Sequence, residues 1–315
     1  MMKIKKNLVL GALLALGVSA AEASGAGTTG AQFLKIEPSA RPMGMGGAFS
    51  AVASDAGGIF YNPASIASLE SPEFAGTYLS YFQDIRYGSL AGVIPLESAV
   101  LGAGVNYTGV TDIPRRGAVD VSDPDGTLRP ESSFGAHDTA VSVAYARRNA
   151  FPSVLEGLDA GAALRVIYQK IDDETAFSVM ADLGVLYPAT EKVSLALSMG
   201  NIGMNVKFRD DSDPLPLNLR GGAAFRALPG LTVAADINQY IIDNILYASA
   251  GAEYWVMDVF ALRAGYKYGY DTSSLGNAGL GAGFGVRVSG VGLDYAFAPF
   301  GELGDTHRIT IWGRM

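Results

Sequence analysis

The sequence predicts an all-β chain: a single closed transmembrane barrel of fourteen antiparallel strands, with a small helical N-terminal plug folded into its lumen. Three observations predict the barrel. The chain opens on an export leader, its residues from Glu73 onward alternate between apolar and small or polar types over segments of about ten residues, and its connections alternate between short and long.

The leader comes first. Lys3, Lys5 and Lys6 precede an apolar run from Leu8 to Val18, and Ser19-Ala20-Ala21-Glu22-Ala23 supplies small residues for cleavage. Eleven apolar residues are too few for a spanning helix, which needs roughly 17 or more. Residues 1–23 are therefore expected to be a signal peptide, cut after Ala23 or, alternatively, after Ala20. After Ala23, Gly, Ser, Asn, Asp or Arg interrupts the apolar residues every second or third position, which excludes a helical inner-membrane protein.

Residues 24–70 do not alternate and form the expected plug. Asn62 is placed to cap a short helix starting at Pro63, because proline has no donor to lose at a first helical position and asparagine accepts the free backbone donors. Gly46-Gly47 and Gly57-Gly58 permit turns or backbone approaches that a side chain would block.

Residues 71–315 form the expected barrel. In Ala99 to Val110, the residues Leu101, Ala103, Val105 and Tyr107 share one face, and Gly102, Gly104, Asn106 and Thr108 share the other. Strands are expected near 73–82, 86–96, 99–110, 137–148, 157–171, 176–188, 192–201, 218–228, 230–239, 246–256, 258–268, 278–290, 291–299 and 305–313. Alternation alone also fits a soluble sandwich, but roughly 10 residues suit a tilted bilayer crossing better than the 5 or 6 of soluble sheets. Tyr107, Tyr168, Tyr187, Trp255, Tyr268 and Trp312 fall toward strand ends and are expected in interfacial girdles. Connections 111–135 and 203–216 are expected outside the cell, with the N-terminus and both barrel ends on the periplasmic side.

Composition narrows the chemistry. The leader takes three of 23 basic residues and one of 31 acidic ones, leaving 20 against 30, so nucleic acid is not an expected partner. Without Cys there is neither disulfide nor thiolate site, and His137 and His307 lie in no catalytic or zinc motif. No catalytic residue, metal or cofactor is assigned, and an enzyme is not expected. The acidic loops 120–126 and 210–213 lack the spacing of a calcium loop and are read as turns. Gly279, Gly281, Gly283 and Gly285 have period two, which makes a lumen-facing stripe and no phosphate loop. By phase, Arg165, Arg220, Arg226, Asp236, Glu253, Arg263, Lys267, Arg287, Asp294 and Arg308 point inward. Glu253 and Arg263 are expected to pair diagonally, and lumen arginines suit a ligand carboxylate.

Within the plug, FLKIEPSAR (Phe33–Arg41), then MGGA (Met45–Ala48), then Asp55 followed by YNPA (Tyr61–Ala64) resemble the PorV/PorQ family of outer-membrane proteins, whose fold is that of FadL, the long-chain fatty-acid channel. Segments 86–92, 251–255 and 262–267 are similar to that family more loosely. The resemblance implies a plugged barrel in the bacterial outer membrane, with outer-membrane lipids and the barrel-insertion machinery as partners. It also implies a plug and gate built on Arg41, Gly46, Gly47, Asp55, Asn62 and Pro63. A terminal aromatic for insertion is implied too, and Trp312 is the nearest one here. Two functions follow as expectations: passive transport of a hydrophobic small molecule, or alternatively a PorV-like part in type IX secretion, receiving cargo proteins.

Overall fold

A computed structural model describes residues 27–52, 54–115, 132–270 and 277–315; the leader and the acidic loop 120–126 lie outside the described residues. Sixteen strands occur among them: β1 Glu73–Ser80, β2 Arg86–Pro95, β3 Val100–Arg115, β4 Ser132–Arg147, β5 Asp159–Ile171, β6 Glu174–Pro188, β7 Val193–Gly203, β8 Val206–Phe208, β9 Asp211–Asp213, β10 Asn218–Leu228, β11 Leu231–Tyr240, β12 Ile245–Val256, β13 Phe260–Tyr268, β14 Leu280–Val288, β15 Val291–Pro299 and β16 Asp305–Arg314. Fourteen of these close into one antiparallel barrel, sealed where Glu73 of β1 faces Arg314 of β16. The strands β8 and β9 form a separate ribbon within the connection after β7, which places Asp211–Asp213 on exposed backbone pairs. The β3–β4 hairpin also outruns its expected bounds, continuing past a bulge between Val110 and Ile113 where Asp112 takes a φ of 60°.

Alternation sorts the two faces. Leu90, Val143, Leu164, Phe177 and Leu262 stand exposed on the outside, forming an apolar belt far larger than the scattered apolar surface of a water-soluble monomer. In water each such side chain would forgo roughly 1.5–3 kcal/mol of burial, so lipid is the solvent this face fits. The inside holds Arg165, Arg220, Asp236, Glu253, Arg263, Asp294 and Arg308, all buried. Trp255 and Trp312 break the girdle expectation: they share the phase of Glu253 and Thr310 and face the lumen, where Arg263 and Arg287 lie over the Trp255 ring and Trp312 Nε1 donates to Asp294.

The plug crosses the lumen once. Its first described residues lie at the end carrying the long connections (the loop end), where Thr29 donates to Asp243 and Gly30 N donates to Pro214 O. It then forms a 3-10 turn at Gln32–Lys35, a short helix at Ala40–Gly44 and 3-10 turns at Ala56–Phe60 and Pro63–Ser68, and it enters β1 at the opposite, turn end. The sequence places the start of the mature chain at the turn end; that start lies outside the described residues, and from residue 27 on the segment begins at the loop end. The direction of β1 fixes only Glu73, and more than forty preceding residues are ample to traverse a barrel.

Apolar plug residues dock on small wall residues. Met45 and Phe49 pack on Ala196, Ala224 and Ala234; Ile59 and Ile66 pack on Ala91, Val93, Ala144 and Ala163. Phe33 packs on Ala140, Ile167 and Met180, and on Val206 and Leu215 from the ribbon connection, which folds over it at the loop end. Alanine and glycine inside the wall thus make room for larger side chains on the plug.

Candidate functional site

The polar ties between plug and wall form the candidate site. Near the turn end, the Arg41 fork donates from Nε and Nη2 to the two carboxylate oxygens of Glu253, both at 2.8 Å, and from Nη1 to Asp55 at 2.9 Å. Bidentate geometry makes such pairs stronger and more directional than neutral hydrogen bonds. Burial works against the Arg41 charge, but the Glu253 carboxylate overrides it and raises the pKa, so the cation persists. Arg263 donates to Glu253 and to Asp294, each at 2.7 Å, continuing the network into the wall. Glu253 and Arg263 are directly opposed in the ladder rather than diagonal.

Toward the loop end, Glu37 accepts from Lys267 Nζ and from Tyr61 Oη, both at 2.5 Å, while its carbonyl accepts from Arg308 Nε at 3.2 Å. Burial alone would raise the pKa of the carboxyl. Lys267, then Arg220, more than offset this and hold it at about 2. Between the two ties, Asp236 accepts the backbone N–H groups of Phe49 and Ser50 at 3.1 and 2.9 Å; at the turn end, Glu73 accepts that of Ala56 at 2.7 Å.

Asn62 both caps and docks. Its Oδ1 accepts from Ala64 N at 3.0 Å, while Nδ2 donates to Val185 O at 3.1 Å. The wall opposite is glycine: a Cβ at Gly184 would overlap Asn62 Oδ1, and one at Gly161 would overlap the backbone of Pro63. Gly46 and Gly47 have φ of 63° and 83°, and a Cβ at Gly46 would strike the Tyr266 backbone. The glycine stripe serves the same contact, with Gly281 against Met43 O and Gly283 against Gly44.

The six residues of the expected plug and gate all lie in the lumen or at its turn-end mouth, but the ten residues expected to point inward divide. Arg165 is buried and pairs with Asp182 at 2.7 Å; Arg220 is buried with its guanidinium over the Tyr61 ring. Arg226 is exposed at the turn-end rim, donating to Glu191 O, and Arg287 is half-buried at that rim, donating to the carbonyl and carboxylate of Asp258. Phase gives the face of a residue but not its depth, so these two line the mouth and not the interior. The sequence reading missed Glu37 and Glu73, lone carboxylates whose partners lie far along the chain.

A cavity of about 160 Å³ opens at the turn-end mouth, lined by Ser39, Arg41, Asp55, Trp255, Arg263 and Trp312 among others. A second, of about 40 Å³, lies between the plug and Arg165, Asp182 and Arg220. A water needs roughly 10–15 Å³ of such space, so the smaller void has room for a few. His137 and His307 sit on the outer face, bonded to Tyr107 and Tyr295, away from any lumen nucleophile.

No family model and no curated relative matches the chain. Solved structures do. The toluene transporter TbuX of Ralstonia pickettii superposes with a TM-score of 0.64 at 14% identity, covering 89% of this chain and 99% of that one. The fold is FadL-like. A deletion mutant of the monoaromatic hydrocarbon channel TodX gives 0.60 at 13% identity over 87% and 97% of the two chains. A Pseudomonas aeruginosa FadL homologue gives 0.56 at 11% over 88% and 98%. This FadL-like barrel shares its architecture with channels, and none of these three neighbours is described as an enzyme.

Proposed function

We propose that the chain is a bacterial outer-membrane channel for passive passage of hydrophobic small molecules, gated by its N-terminal plug. The loop end then faces outside and the turn end the periplasm. One observation carries the reading: the plug fills the lumen but is held by side-chain ties and small-residue contacts, all of them breakable without opening the strand ladder. The similarity to a toluene transporter and a monoaromatic hydrocarbon channel supports the substrate class. Uptake of radiolabelled toluene by cells carrying the protein, compared with a deletion strain, tests it. Faster uptake is expected; equal uptake refutes the proposal.

The motifs Phe33–Arg41, Met45–Ala48 and Tyr61–Ala64 favour membership of the PorV/PorQ family and with it a second reading, reception of secreted cargo proteins. Cargo co-purifying with the barrel, together with unaltered toluene uptake, would replace the first reading with this one.

A further inference from the structure

The outer face of the barrel is layered at its loop end. Following the ladder from β5 across β4, β3, β2 and β1 to β16, one row of facing residues reads Lys170, His137, Gly109, Arg86, Ser80 and His307. These residues have the lipid-facing phase, because their neighbours Gln169, Asp138, Thr108, Tyr87, Leu79 and Arg308 point inward or are buried. Two residues deeper along the same strands the row reads Tyr168, Thr139, Tyr107, Gly88, Tyr78 and Ile309, continuing to Tyr295 on β15. Two deeper again it is Val166, Val141, Val105, Leu90, Gly76 and Ile311.

The succession runs from hydrocarbon to tyrosine to cation. Tyrosine rings settle at the boundary of the hydrocarbon layer, so the next row outward lies among lipid headgroups. Both histidines of the chain stand in that row, each held through Nδ1 by a tyrosine hydroxyl of the neighbouring strand, at 2.8 Å for Tyr107–His137 and 2.7 Å for Tyr295–His307. Among the described residues, neither Arg86 nor Lys170 makes an ion pair. Asp84, Asp172 and Asp305 lie farther out, in the turns or at the strand end. Five ladder steps at ~4.8 Å give the row a span of ~24 Å, wide enough for more than one headgroup. Strand tilt sets it obliquely through the headgroup layer.

We propose that this row binds the phosphate groups of lipids in the outer leaflet, with Arg86 and Lys170 as the cations and the tyrosine-held histidines as flanking hydrogen-bonding groups. It rests on the outer-membrane placement proposed above and not on transport. Uptake and lipid binding are measured separately, so either can fail alone.

The test uses the purified full barrel in detergent, titrated with diphosphoryl lipid A and with the dephosphorylated glycolipid, with bound lipid counted by native mass spectrometry. Preference for the diphosphoryl form is expected. With each cation near an anionic surface contributing about a fivefold factor, Arg86→Gln with Lys170→Gln should weaken binding about 25-fold. Heat-modifiable gel mobility shows that the variant barrel remains folded, and His137→Gln with His307→Gln should give a smaller loss. Equal binding of the two lipids, or an unchanged affinity in the Arg86/Lys170 variant, overturns the proposal. Displacement of the lipid by excess inorganic phosphate also overturns it, by assigning the row to a soluble anion.

Discussion

Replacing Arg41 with alanine removes three charge-assisted hydrogen bonds from the plug, two to Glu253 and one to Asp55. Each such bond contributes roughly 1.5–3 kcal/mol when well shielded. Two facts reduce the total. The Arg41 side chain is 18% exposed, so water replaces part of what is lost, and Glu253 keeps Arg263 at 2.7 Å and is not left unpaired. A net loss of about 2–3 kcal/mol in plug docking follows, which raises the undocked population roughly 30- to 150-fold. The barrel should be spared, because no ladder hydrogen bond involves this side chain. Hydrogen exchange at the Phe49, Ser50 and Ala56 amides, read beside toluene permeability in proteoliposomes, measures the effect. Arg41→Lys keeps the charge but loses the fork and should fall between wild type and alanine. If amide exchange and permeability both stay at wild-type levels in a folded Arg41→Ala barrel, the tie does not hold the plug.

Glu37 gives a pH prediction. Its folded-state pKa is depressed to about 2 from the ordinary carboxyl value of 4.5, so its contribution is complete above 4.5 and is lost as pH falls from there toward 2. Exchange of the residue 33–40 amides should accelerate over that window, and Glu37→Gln should lack this acid-dependent step; an identical acid profile in the variant would count against the assignment. Gly184→Ala should raise permeability by pushing on Asn62 while leaving barrel mobility on gels unchanged, because alanine suits a strand at least as well as glycine. Asn62→Ala removes the cap and the tie to Val185, and should cost the plug about 1 kcal/mol, seen as faster exchange at Ala64.

The strands were legible because a two-faced wall between lipid and a packed lumen imposes a dyad period on nearly every residue. Expected and observed limits agree within about two residues for β10, β12 and β15, whose ends are marked by turn residues. Lumen depth was not legible: Arg220 and Arg226 share a strand and a phase, yet one is buried and the other is at the rim. The inward turn of Trp255 could have been read, since it shares the phase of Glu253; chemical habit, which puts tryptophan at interfaces, outweighed it. The plug residues were legible as a group through their motifs. Their partners were not, because Glu37 and Lys267 are 230 positions apart and no period links a non-repeating segment to the wall.

The course of the plug through the barrel restricts how it can move. Residues 27–52 and 54–72 are threaded through a ring that β1 and β16 close by their hydrogen-bonded ladder, with Pro72 O bound by Met315 N at one mouth and Thr29 tied to Asp243 at the other. A thread through a closed ring cannot leave sideways. It can be drawn out at the Thr29 mouth, or collapse in place toward its root at Glu73, and the second motion alone leaves the Thr29–Asp243 tie intact. A probe on residue 29 and another on residue 64 would therefore separate the two routes, because unthreading frees the first before the second and collapse reverses that order.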